Sequence, residues 1–160
     1  MAVAEIIGAA VGVMLLIIVA YVLVGSVLTT AEVVTNAQKD VTYLQGTRLG
    51  TSIALDKTDI HFPPGTELNF NVTNTGNVAI TDFKHMDLFV DNSGFQHLSY
   101  STSCGIVNTW CKVSINPDVI HPNQLDPGEK MWVRATLSNT QLNWLQITTS
   151  NGVNAQTTYP

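Results

Sequence analysis

"MAVAEIIGAAVGVMLLIIVAYVLVGSVLTTAEVV", residues 1–34, decides the fold. Between Glu5 and Glu32 it carries no charged side chain, and residues 6–28 form an uncharged run of 23, where roughly 20 apolar residues suffice to span a bilayer core. A cleavable signal peptide has a basic n-region, an apolar stretch of about 7–15 residues and a small-residue cleavage site. Here no Lys or Arg precedes the run, and the run is too long, so a retained membrane-length helix is predicted. The flanks say little about orientation, because Lys39 is the first basic residue and lies past the apolar run. Either a basic flank was removed with a prepeptide, or partner helices set the direction.

Small residues recur within the run, and Gly8 and Gly12 form a small-xxx-small pair that lets helix backbones approach closely. The helical pattern then continues past the apolar segment. "AEVVTNAQKDVTYLQG", residues 31–46, has no breaker before Gly46, and Val34, Ala37, Val41 and Leu44 follow a 3-4-3 spacing. That is the narrow seam of a helix packing on one neighbour. One helix is expected over 1–45, apolar at 6–28 and amphipathic at 29–45, on the order of 65 Å long at 1.5 Å per residue.

From Arg48 onward the period changes to two. "ELNFNVTN" puts Leu68, Phe70 and Val72 on one face and Asn69, Asn71 and Thr73 on the other. "NTGN" at 74–77 and "NSG" at 92–94 read as turns, and Asn151-Gly152 as a hairpin between the last two strands. "VAITDF", "MDLFVD", "FQHLSY", "WCKVSI", "MWVRATL" and "NWLQITTS" supply further short strands. Eight or so strands with turn signals at about 8–12-residue spacing are the pattern of an all-β sandwich. The expected class is α+β: a long hydrophobic N-terminal helix followed by one antiparallel, Ig-like sandwich over 46–160.

Composition narrows the functions. Only 12% of residues are charged and the net charge is −5, so the basic footprint of a nucleic-acid binder is missing. His61, His85, His97 and His121 are scattered singly, and Cys104 and Cys111 lack CxxC spacing, so neither a metal centre nor another cofactor is expected. His85 near Asp82 and Asp87 is the nearest approach to a metal set. "DNSG" at 91–94 resembles the start of a calcium loop without its later ligands. No GxSxG, P-loop or dinucleotide loop occurs, and the chain is expected not to be an enzyme. In an extracellular domain, Cys104 and Cys111 would form a disulfide closing a short loop. Asn71-Val72-Thr73 would be an N-glycosylation acceptor there.

A long helix, apolar then amphipathic, leading into one β-sandwich resembles the architecture of type IV-pilin-like proteins. The opening "MAVAEIIGAAVGVMLLIIVAYVLVG" is similar to archaellin-superfamily N-termini. "NFNVTNTGNVAITDFKHMDLFV", "LDPGEKMWVRATL" and "TTSNGVNAQTTY" resemble the β-domain of archaellum accessory proteins F and G. The resemblance implies a structural component of an archaeal cell-surface filament machine, anchored in the membrane or built into a filament, with its β-domain outside the cytoplasm. Its implied partners are copies of itself or other pilin-like subunits through the helix, membrane lipid, and a cell-wall (S-layer) protein through the β-domain.

Two roles follow from that resemblance. In an accessory protein the helix anchors and the β-domain contacts a partner; in a filament subunit the helices form the core and the β-domains the sheath. Glu5 stands where mature pilins usually carry a glutamate. If Met1 is a processed N-terminus, Glu5 would pair with the α-amino group of a neighbouring subunit and set axial register. If Met1 is the initiator, which favours the accessory role, Glu5 sits at headgroup level, where a charge costs little. A membrane-tethered binding module or sensor ectodomain is the reading from another class, and it leaves the Val34–Leu44 seam unexplained. The assembly residues expected are thus Glu5, Gly8, Gly12, Val34, Val41 and Leu44.

Overall fold

A computed structural model describes residues 2–63 and 65–159. It divides the chain into two compact units, Met1–Tyr43 and Leu44–Pro160. The helix α1, Ala2–Gly50, runs 49 residues, about 74 Å, and holds a stretch long and apolar enough to cross a membrane by length and composition. It continues past Gly46, whose position meets no other atom: one exposed glycine costs a helix only about 1 kcal/mol, too little to end it.

Eight strands follow: β1 Ile53–Leu55, β2 Glu67–Asn74, β3 Asp87–Asp91, β4 Phe95–Tyr100, β5 Thr109–Asn116, β6 Lys130–Thr136, β7 Trp144–Thr148 and β8 Asn154–Thr158. Their order in the sheet is β1-β2-β6-β5-β4-β3-β7-β8. The two end strands, β1 and β8, lie side by side, so the sheet curls around one core like a flattened barrel. Alternation decides what enters that core. Phe70 and Val72 of β2, Met131 and Val133 of β6, Leu88 and Val90 of β3, and Leu145 and Ile147 of β7 are all buried, with Leu98 and Trp110 between them. The sheet is mixed: every pair is antiparallel except β4 and β5, which run parallel for two residues at Ser99↔Thr109 and Tyr100↔Trp110. One expected strand is absent among the described residues. Residues 78–83 form no strand, because Ile80 alone exchanges backbone bonds with Leu125, and Asp82 then turns the chain by accepting from the His85 N–H. The stretch after β1 winds into a 3-10 turn, Lys57–Asp59, capped by Asp56.

The turn at 74–77 does more than reverse the chain. The N–H groups of Thr75 and Gly76 donate to the Ser52 carbonyl at 2.9 and 3.0 Å, and Asn77 N–H donates to the Gly50 carbonyl at 2.9 Å. The buried Asn74 amide donates to both the Val78 and Leu125 carbonyls at 2.9 Å and accepts from Gly76 N–H at 3.0 Å. Residues 50–52, where α1 ends, are therefore held by this turn. Glycine is required at 76 for close approach: a Cβ there would lie 2.5 Å from the Gly50 carbonyl oxygen and the Ser52 nitrogen.

Candidate assembly site

On α1 the predicted assembly residues fall on one side. At about 100° per residue, Gly8, Gly12, Val34, Ala37, Val41 and Leu44 occupy an arc of about 80°, while Glu32 and Lys39 lie on the far side. Leu16, Val19, Leu23, Ser26 and Thr30 continue the stripe between them. The two hydroxyls in it bond within the helix, Ser26 to the Leu23 carbonyl at 2.8 Å and Thr30 to the Ser26 carbonyl at 2.9 Å. The stripe thus presents no unsatisfied donor to an apolar neighbour. Nothing lies within 4 Å of a Cβ at Gly8 or Gly12, so both leave room for an approaching backbone. Val34, Val41 and Leu44 are 49%, 52% and 63% exposed, an apolar seam without a partner in the single chain. Glu5 is exposed on the first turns; its expected pairing with an α-amino group involves Met1, which lies outside the described residues.

Several titratable side chains of the β-unit stand in polar pairs. Among the described residues no group of three or more His, Cys, Asp or Glu could hold a metal ion. His85 pairs with Asp82 at 2.8 Å, whereas Asp87 pairs with His97 at 2.7 Å, so the three residues that sequence proximity joined are divided. "DNSG" is a hairpin turn, with Asp91 accepting from Gly94 N–H and Ser93 at φ 65°. Asp126 and Glu129 are buried, and their carboxylates accept backbone N–H bonds: Asp126 from His121, Glu129 from Val119 and from Asp126 itself. They order the loop between β5 and β6. Two titrating groups are displaced from their ordinary values. The Thr58 backbone N–H and then its hydroxyl, both donating to Asp56, hold that carboxyl low. Burial lowers Lys112, which lies over the Phe83 ring, against a smaller opposing pull from Asp118.

Cys104 and Cys111 are joined in a disulfide, with Cα atoms 5.3 Å apart. Asn71 is half-buried on β2, directly across from Trp132 on β6, and its amide nitrogen donates to Asp59 at 3.1 Å. Sequence reasoning missed the outward-facing aromatics. Trp132 shares a face with Lys130 and Arg134, opposite buried Met131, Val133 and Ala135, and the alternation of "KMWVRAT" carries that signal. Phe89, Phe95 and Trp144 meet only because β4, β3 and β7 are neighbours, with ring centroids 5.5 and 6.4 Å apart, which no local pattern encodes.

No family model and no curated protein matches the chain. Solved structures do. A chain of the archaellum periplasmic stator complex of FlaF and FlaG from Sulfolobus acidocaldarius aligns with a TM-score of 0.50 at 18% identity, over 67% of this chain and 87% of that one. The archaellum periplasmic stator protein FlaG from the same organism aligns with a TM-score of 0.51 at 20% identity, over 68% of this chain and 99% of FlaG. At such identities the likeness is one of fold, and in fold this chain is similar to archaellum periplasmic stator proteins.

Proposed function

We propose that this chain is a non-enzymatic accessory component of an archaellum-type surface machine. Its helix anchors it in the membrane and associates with other helices, and its β-unit stands outside the cytoplasm to contact partner β-domains or the cell-wall layer. The observation that carries the reading is the fold match over 99% of FlaG, over a share of this chain close to that of the unit Leu44–Pro160. The similar FlaF–FlaG complex supports a partner of the same kind. A second reading, a filament subunit, is favoured by the single stripe from Gly8 to Leu44, since a helix core needs a close-packing face along its length.

Fractionating native cells tests both. Recovery in the membrane fraction, together with motor components and with loss of swimming on deletion, supports the accessory role. Recovery as the main protein of sheared filaments supports the subunit. Recovery as a free membrane protein with unchanged swimming refutes both.

A further inference from the structure

On the outer face of β2, β6 and β5 lies a groove of about 470 Å³ lined by Asp59, His61, Asn71, Ser114, Asn116, Lys130 and Trp132, with Phe70 of β2. Its floor is Trp132, flanked by Asn71 on β2 and Ser114 on β5. The indole is 40% exposed on a face where every other lining side chain from these strands that points outward is polar. The 3-10 turn and His61 form one wall: Asp59 accepts from the Asn71 amide at 3.1 Å and lies 3.8 Å from the Lys130 ammonium. We propose that this groove binds a neutral hexose unit of a glycan.

The chemistry selects the class. The negative face of an indole attracts the weakly positive C–H face of a pyranose ring. Amide, hydroxyl, carboxylate and ammonium groups around it supply both donors and acceptors for the ring's hydroxyls. Asp59 and Lys130 balance each other, so the groove makes no demand for a charged ligand. A polyanion is disfavoured by the net charge of −5. An apolar segment would strip water from Asn71, Ser114 and Asn116 without replacing it. The glycan has two sources: one linked to Asn71 itself, whose sequon places the attachment nitrogen in the groove, or one carried by another molecule. After attachment the Asn71 nitrogen keeps one hydrogen with which to meet Asp59.

The test has two arms. Peptide mapping of the native protein shows whether Asn71 carries a hexose-containing glycan. In parallel, unglycosylated full-length chain in phosphatidylcholine nanodiscs, free of alkyl-glycoside detergent, is titrated with neutral glucose, mannose and galactose oligosaccharides by saturation-transfer NMR. Expected is a glycan on Asn71, or millimolar or tighter binding, or both. Trp132→Ala should then weaken binding at least tenfold, or lower the melting point of the glycosylated chain more than that of Asn71→Gln. Ser114→Arg, at an exposed position, should block the groove without touching the platform and decides the matter if Trp132→Ala fails to fold. Phe95→Ala, on a different part of the sheet, should leave binding unchanged. An unmodified Asn71 with no oligosaccharide bound at 10 mM (about the weakest binding of use, some 2.7 kcal/mol) overturns the proposal. So does binding or glycan stabilisation that Trp132→Ala and Ser114→Arg leave intact.

Discussion

Replacing Val34, Val41 and Leu44 together with asparagine, in the full-length chain, removes the apolar seam of α1 outside its membrane-length segment. Fully burying a valine or leucine is favourable by about 1.5–3 kcal/mol. These side chains are 49%, 52% and 63% exposed in the single chain, so roughly half of that gain, about 0.8–1.5 kcal/mol each, remains for a partner helix to realise. The triple variant should lose about 2–4.5 kcal/mol per copy, and with both copies of a pair altered, at about 1.4 kcal/mol per decade, association should weaken at least a hundredfold. The assay is energy transfer between donor- and acceptor-labelled copies in liposomes, followed as lipid is added to dilute the protein. The native chain should keep its transfer to protein-to-lipid ratios at least a hundredfold lower than the variant. Glu32→Ala with Lys39→Ala, on the opposite side of the helix, is the control and should behave as native. Equal dilution curves for native and triple variant, or an equal loss from the control pair, would refute the placement of the interface on this stripe.

Three further outcomes follow from the β-unit. Gly76→Ala should lower the urea midpoint and raise hydrogen exchange at the N–H groups of 75–77, because its Cβ would press on backbone at Gly50 and Ser52; about 2–4 kcal/mol is expected for forced backbone displacement with loss of those bonds, and unchanged exchange would show the clamp to be dispensable. Reducing Cys104–Cys111 should cost about 2.5 kcal/mol, the loop-closure term for so short a loop, read as a lower melting point in reductant that a Cys104→Ser, Cys111→Ser chain no longer shows. Asp56 titrates below its ordinary 3.8 because Thr58 donates to its charged form. Its contribution to stability is therefore present above about pH 4 and is lost as pH falls through the depressed folded value; Asp56→Asn should flatten that part of an acid melting curve, and an unchanged curve would exclude the group.

The helix and the inward-facing residues were legible in the chain itself. Twenty-three uncharged residues at 6–28 have no stable place other than an apolar one, and the alternation of Leu68, Phe70 and Val72 sends one face of β2 inward whatever its neighbours are. That Val34, Val41 and Leu44 share one side of α1 was readable for the same reason, since helical spacing is a local property. The helix end was read about five residues early, because Gly46 alone is too weak a breaker and the stop is set by the turn at 74–77 holding residues 50–52. Strand order was beyond reach: the parallel contact of β4 with β5, and the meeting of Phe89, Phe95 and Trp144, join positions that no local periodicity links. The groove over Trp132 is a product of the same kind. Each strand of β2, β6 and β5 states which of its side chains point outward, but only pairing in register brings Asn71, Trp132 and Ser114 into one row and sets Asp59 beside them. Period and hydropathy act over a few residues and are written in the chain, whereas a surface is made by contacts between segments far apart in it.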